Sequence, residues 1–309
     1  MGHSWPVLAP ASGKARGRGS GPAPFFIPSF LSAPILFCHH LLRRTARTAC
    51  PPRTFVNLMT SPPPAIHPDA VIRTGVSLGH FVVIEAGVTI GEGCRIGHHT
   101  ILRSGTQLGA RVQVGDHSVL GQQPMRASIS AVTTDKTYDG PLIGDRVRIG
   151  SGSILYAGCR IAEDAFIADL ATVRENVQVG RKTIVGRGVA IENECTVGAF
   201  CKLETNAYIT AYSTLGDRVF VAPGVRTSND NFVGRTEERF KHFKGIIAEE
   251  GARLGVGCTI LPGRRIGRDA LIAAGAVLTR DADPETVYVG VPARAIGPVP
   301  AEQRLENQN

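Results

Sequence analysis

Residues 66–120 read "IHPDAVIRTGVSLGHFVVIEAGVTIGEGCRIGHHTILRSGTQLGARVQVGDHSVL". Counting in sixes from Ile66 gives Ile72, Leu78, Ile84, Ile90, Ile96, Leu102, Leu108, Val114 and Leu120, all aliphatic. The fourth residue after an anchor is small or β-branched, as at Ala70, Val76, Val82, Cys94 and Thr106, and Gly often follows the anchor directly. A period of six would smear these anchors around a helix. It is a multiple of two, so in extended chain successive anchors face one way. Six extended residues span roughly 20 Å and cannot bury an apolar face alone, so such segments must stack on one another. The compact solution is a coil of three short strands around a triangular core, anchors and fourth residues pointing inward.

The beat stops after Leu120, resumes in a new phase at Ile143, holds to Val221, and returns from Ala248 to Leu278, thirty hexads in all. Thirty hexads predict about ten triangular coils, stacking to roughly 48 Å at strand spacing. Hydrophobic residues make up 43% of the chain but aromatics only 6%, so the bulk is Val, Ile and Leu, as thin strand-like elements require.

Residues 1–58 differ in kind. They hold seven Lys or Arg (Lys14, Arg16, Arg18, Arg43, Arg44, Arg47, Arg53) and no acid. Removing those seven from the 34 basic residues leaves 27 against 26 acids, so the body is nearly neutral and its charge gives no reason to expect a nucleic-acid partner. The stretch is Pro-rich and has neither period. It reads as a targeting segment, as a signal sequence around "PFFIPSFLSAPILF" (24–37), or as a misassigned start with translation beginning at Met59; the last is preferred, since the ordered pattern begins seven residues later. No run of about 18 apolar residues suggests a membrane span. The expected organisation is a leader or misassigned start over 1–64, a β-helix over 65–297 and a tail over 298–309.

Cys94, Cys159, Cys195, Cys201 and Cys258 each fall four residues after an anchor. They read as core fillers. No C-x-x-C occurs, and free thiols favour a reducing, cytoplasmic compartment. His80 and His98, and His99 and His117, are each 18 residues apart, one coil, and are expected to stack as exposed turn residues rather than bind metal.

The pattern resembles the hexapeptide-repeat acyltransferases with a left-handed parallel β-helix, over about 66–297. That resemblance implies left-handed crossovers, against the usual rule for parallel strands, and a homotrimer packed along the flat sides. The sequence from Gly245 to Gly297, ending "GVPARAIG" (290–297), is similar to the C-terminal third of acetyl-CoA-dependent sugar acetyltransferases. It implies acetyl-CoA along the last coils, with Gly255, Gly257, Ala273, Ala274 and Gly275 letting the chain approach pantetheine and Arg294 and Arg264 meeting phosphates.

The two interruptions are where chemistry is expected, since loops rather than rungs carry site residues. The first, 121–145, loosely resembles the loop of UDP-N-acetylglucosamine O-acyltransferases through Gly121, Pro124, Tyr138 and Gly140. The second begins "TSNDNFVGRTEERFKHFKG" (227–245). Maltose acetyltransferases carry a catalytic His at the start of this loop, ahead of Glu-Glu-Arg; here "EER" stands at 237–239 and "SNDN" (228–231) occupies the place of the His. Aminosugar N-acetyltransferases of nucleotide-sugar pathways are similar in placing Asn there. The resemblance implies N-acetylation of a nucleotide-linked amino sugar, with Asn229 orienting the reactants and Asp230 accepting the amine proton. The alternatives are O-acylation with His242 as base, and a non-catalytic or carbonic-anhydrase-like metal-binding β-helix.

Overall fold

The computed structural model describes residues 63–130, 132–133 and 135–308. The expectations for residues 1–62 lie outside the described residues. Within them, strands of mostly two residues form three parallel sheets of 11, 10 and 12 strands, called here face 1, face 2 and face 3. The chain runs from face 1 to face 2 to face 3 and back, so each strand pairs in register with the one three strands on: Val83–Ile84 with Ile101–Leu102, for example, and Ile184–Val185 with Lys202–Leu203. This is the three-sided parallel coil expected from the beat, the left-handed β-helix that the resemblance implied.

The anchors fill the prism. Ile90, Leu102, Leu120, Leu155, Ile167, Ile191 and Leu203 have no meaningful exposure. From Val82 on, fourth-place residues such as Val82, Val88, Cys94 and Thr100 are also buried, and when polar they do more than fill space. Thr100 Oγ1 donates to the Gly115 carbonyl (3.0 Å), Ser118 Oγ to Gly150 (2.9 Å) and Thr183 Oγ1 to Gly198 (2.8 Å). The thiols of Cys94, Cys195 and Cys201 make the same bond to Gly109, Thr210 and Gly216. Each satisfies a corner carbonyl that the short strands leave out of the ladder. Burial pushes the thiols of Cys159, Cys195 and Cys258 up to about 12.

Corners stack closely. A Cβ at Gly91 would meet the Gly109 carbonyl oxygen at 2.3 Å, which is why Gly follows so many anchors. The histidine stacks form as expected, with ring centroids 5.1 Å apart for His80–His98 and 4.8 Å for His99–His117.

The solenoid has one rung that the aliphatic count misses. Arg226–Thr227 pairs with Tyr208–Ile209 only through Tyr208 and Arg226. Thr227 takes the anchor place, 5% exposed. Its hydroxyl accepts the Thr210 N–H (2.7 Å) and donates to the Tyr208 carbonyl (3.0 Å). The side chain thus replaces a ladder carbonyl, and the backbone is free to leave the face at this point.

At the C-terminal end, Thr286–Val289 adds to face 3 and pairs antiparallel with Arg294–Pro298. Residues 299–308 return along the last coils: the Leu305 N–H donates to Asp269 at 3.3 Å and Arg304 pairs with Glu285 at 2.7 Å. The exposed edge is thereby covered.

Candidate functional site

Both interruptions leave the same corner. The first connects Val119–Gln122 on face 1 to Leu142–Ile143 on face 2; the second connects Arg226–Thr227 on face 1 to Ile247–Ala248 on face 2. Between them along this 1–2 corner lie four plain turns, 156–159, 174–177, 192–195 and 210–213.

The first loop is clamped at its stem, where Gln123 Nε2 donates to the Tyr138 carbonyl (2.7 Å) and Gln123 Oε1 accepts the Tyr138 N–H (3.1 Å). Gly140 lies so close to Gly105 that a Cβ would meet its carbonyl oxygen at 2.2 Å. Gly121 has φ of 93°. Gly121 and Gly140, two of the four residues that suggested a family motif, are therefore favoured by the stem geometry. From the stem the loop runs along the corner towards the second loop. Arg174 Nη2 donates to Thr133 Oγ1 (3.3 Å), and Asn193 Nδ2 to the Val132 carbonyl (3.4 Å).

The second loop carries a short 3-10 turn, Glu237–Lys241, and its base is closed by the Lys244 N–H donating to the Asn229 carbonyl (3.1 Å). Asp230 braces it: one carboxylate oxygen accepts the Phe232 N–H (2.8 Å), the other the Gly234 N–H (2.9 Å) and an Arg239 N–H (3.2 Å). Burial acts to raise this carboxyl, but the two amide bonds and the Arg239 charge hold it below the ordinary carboxylate range. His242 is half-exposed, with Nε2 3.0 Å from Glu238 Oε1 and its ring against Phe232.

Where the loops meet they enclose a cavity of about 220 Å³, with Val132 from the first loop, Asn229, Asp230, Arg239 and Phe243 from the second, and Glu192, Tyr208 and Thr210 beneath. Asn229 and Asp230 are thus brought together; His242 does not line the cavity. Glu192 joins the cavity to an ionic cluster on the neighbouring turn that sequence reasoning missed. Arg174 lies over the Tyr156 ring at 4.8 Å and gives two bonds to Glu175 (2.8 and 3.0 Å), which is 2% exposed. A third, longer contact reaches Glu192 at 3.4 Å. Burial, ahead of the opposing Arg174 charge, raises the Glu192 carboxyl. The signal was present: "RENV" (174–177) and "ENEC" (192–195) stack charged and amide groups 18 residues apart on one corner.

The residues assigned to the acyl donor divide between two corners. Gly255, Gly257, Ala273, Ala274 and Gly275 line the 3–1 corner of the last coils. The N–H groups of Gly255, Gly257, Ala273 and Gly275 already donate to Ile272, Pro223, Tyr288 and Val256, so these residues offer a smooth surface rather than free amides. Beyond the Cβ positions of Gly257 and Gly275 nothing lies within 4 Å. Arg294 is exposed at this corner, in the hairpin whose Ala293 N–H donates to the Val277 carbonyl. Arg264 is on the 1–2 corner instead, beside Lys244 at the end of the second loop, and 3.5 Å from Asp281.

A larger hollow of about 600 Å³ lies on face 2, lined by groups such as Gln107, Leu142 and Gln178. It holds no ion pair or carboxylate and offers surface rather than acid–base chemistry. Among the described residues no group of three or more His, Cys, Asp or Glu is placed to hold a metal, and no helix is long and apolar enough to cross a membrane.

Two family models match the rungs: bacterial transferase hexapeptide (six repeats) over residues 87–122, and hexapeptide repeat of succinyl-transferase over 69–90 and 245–280. The matched coils therefore carry hexapeptide repeats. The chain is 26% identical over 195 residues to the bifunctional protein GlmU of Rubrobacter xylanophilus, covering 57% of this chain and 40% of that protein. It is 41% identical over 51 residues to a 2,3,4,5-tetrahydropyridine-2,6-dicarboxylate N-acetyltransferase of Staphylococcus aureus, covering 16% and 21% of the two chains. Among solved structures it is similar to a hexapeptide-repeat acetyltransferase of Vibrio cholerae complexed with acetyl coenzyme A, at 23% identity, over 40% of this chain and 70% of that one, with a TM-score of 0.36. The chain thus spans about two fifths of the length of the GlmU that it matches.

Proposed function

We propose that this chain is an acyl-CoA-dependent acyltransferase that acetylates the amine of a sugar, carried on a nucleotide, and works as a cytoplasmic homotrimer with acetyl-CoA as donor. The observation that carries the reading is the convergence of both loops on one corner, where they enclose an acidic cavity that includes Asn229 and Glu192 and excludes His242. A hydroxyl nucleophile needs a strong base in contact with it; an amine needs less. The transferase names attached to the matching family models and to the relatives support acyl transfer in general.

The division of site residues between two corners supports the trimer. Face 1 separates the 1–2 corner from the 3–1 corner; its outward residues Val83, Ile101, Val119, Ile154 and Ala190 are apolar, while Thr172, Tyr208, Arg226 and Thr259 give it polar groups, mostly on the later coils. Packing three copies about face 1 buries that surface and sets the 1–2 corner of each beside the 3–1 corner of the next. The pantetheine strip of one subunit then faces the loop cavity of its neighbour, and Arg294 and Arg264 flank one groove. Within it, Asn229 holds the acyl carbonyl or the amine, Asp230 keeps the loop in shape, and rate comes from holding thioester and amine together and from donors facing the carbonyl oxygen.

One observation favours a second reading: the His242–Glu238 pair is arranged as a base and its orienting carboxylate, and would serve O-acylation if the loop presented it to a neighbouring groove. A thiol-release assay with acetyl-CoA against matched amino and hydroxy sugar nucleotides separates the two. Release with the amine that Asn229→Ala abolishes supports N-acylation. Release with the hydroxyl compound that His242→Ala abolishes supports the second reading.

A further inference from the structure

The charges around the loop cavity do not balance. Arg174 and Arg239 supply two cations; Glu175, Glu192 and Asp230 supply three carboxylates. Glu175 takes Arg174 with two short bonds, and Asp230 takes Arg239. Glu192 is left with a single 3.4 Å contact to an arginine already neutralised, yet its side chain is only 23% exposed. The next residue, Asn193, is 3% exposed and its Oδ1 has no hydrogen-bond partner among the described residues. A partly buried surplus carboxylate is stabilised when a cation joins it. The cavity is about 220 Å³, room for one sugar ring and little more.

We infer that Glu192 receives the ammonium group of the acceptor and takes its proton, a role that rests on the acyl-transfer reading. One N–H bond of the ammonium breaks and its proton passes to a Glu192 oxygen. The freed lone pair forms the C–N bond to the thioester carbonyl carbon, the C–S bond breaks, and the departing thiolate takes the second proton that the nitrogen sheds. The proton on Glu192 returns to solvent. Burial raises Glu192, Arg174 opposes and Glu175 reinforces that rise, while Asp230, Arg239 and the Tyr208 phenol complete its charged and titratable surroundings. A carboxyl raised in this way is a better proton acceptor than Asp230, whose oxygens are all engaged.

The test is the pH dependence of kcat, at saturating UDP- and dTDP-linked amino sugars with acetyl-CoA, for wild type, Glu192→Gln and Glu192→Asp. Glu192→Gln is expected to lower kcat by about 100- to 1,000-fold, leave KM for acetyl-CoA within about twofold, and move the acidic limb up to the free amine's own pKa. Glu192→Asp, which keeps the charge, is expected to keep the limb near its wild-type position. Circular dichroism and native mass confirm that each variant is folded. A folded Glu192→Gln with wild-type kcat and limb, or a Glu192→Asp that loses the limb, overturns this assignment alone. A wild type that releases no thiol with any amine overturns the N-acylation reading and this assignment with it.

Discussion

Thr227 makes opposite demands on two accounts of the solenoid. If an anchor place needs only apolar bulk, Thr227→Val should stabilise the coil, because every neighbouring anchor is aliphatic and a methyl replacing a hydroxyl adds roughly 0.8 kcal/mol of burial. The geometry says otherwise. Thr227 Oγ1 is the acceptor for the N–H of Thr210, itself 2% exposed, at 2.7 Å. Valine leaves that buried donor without a partner, at a cost of about 1–3 kcal/mol. The net expectation is a loss of about 0.2–2.2 kcal/mol, or a fall of up to several degrees in melting temperature at about 2–4 °C per kcal/mol. Thr227→Ser loses a methyl but keeps the acceptor. Hydrogen exchange of the Thr210 amide reads the difference directly: protection should persist in the Ser variant and collapse in the Val variant. Because Thr210 lines the loop cavity, turnover should fall with Val as well. A Val variant that melts higher than wild type, with Thr210 still protected, would refute the reasoning.

Other outcomes follow from the same structure. Asn229→Ala and Asp230→Ala should each lower turnover by one to three orders of magnitude, about 1.4 kcal/mol per tenfold, and His242→Ala much less; the reverse ranking moves the assignment to O-acylation. The Asp230 carboxyl lies below its unfolded value, so its bonds stabilise the loop above the unfolded pKa and are lost as pH falls through the depressed one; the protection of the Phe232 and Gly234 amides, measured against the intrinsic exchange rate at each pH, should fall only in acid, whereas in Asp230→Asn it should be low already at neutral pH. Arg294→Ala should raise KM for acetyl-CoA, and an unchanged KM removes Arg294 from the site. Cys159, Cys195 and Cys258, raised by burial to about 12, should resist alkylation at pH 8.5 until the chain unfolds, as shown by peptide mass mapping; labelling of any of them in the folded protein contradicts their place in the core.

The fold was legible because one physical rule repeats. An inward aliphatic every six residues leaves little freedom, and Ile90 or Leu203 could be placed from the sequence alone. The rule hid Thr227, where a hydroxyl substitutes for a ladder carbonyl, a bond that composition does not reveal. Phase counting also contained a fact left unread: both breaks follow a face 1 strand, so both loops leave one corner. The site was legible only in part. Asn229 and Asp230 announced themselves by interrupting the beat. Arg174, Glu175 and Glu192 sit in turns where charged residues are ordinary; Arg174 pairs with its own neighbour Glu175, but its contacts to Glu192 and to Thr133 of the first loop span 18 and 41 residues, so only the stacked structure distinguishes this ion cluster from a solvated corner. The glycines of the last coils were identified for close approach to a ligand; Gly257 and Gly275 also sit at turn positions with φ of 62° and 67°, a conformation that favours glycine but that Asp164 and Asn206 adopt as well.

The central claim is that an acyl donor on one corner meets an acceptor in the loop cavity of another copy. The most direct measurement is a crystal structure of the protein with CoA and an amino-sugar nucleotide. The account predicts a threefold assembly about face 1, pantetheine along the 3–1 corner past Gly257 and Gly275, and the sugar amine in the neighbouring loop cavity next to Glu192 and Asn229. CoA bound away from both corners, or an amine that leaves that cavity empty while occupying another site, would contradict it.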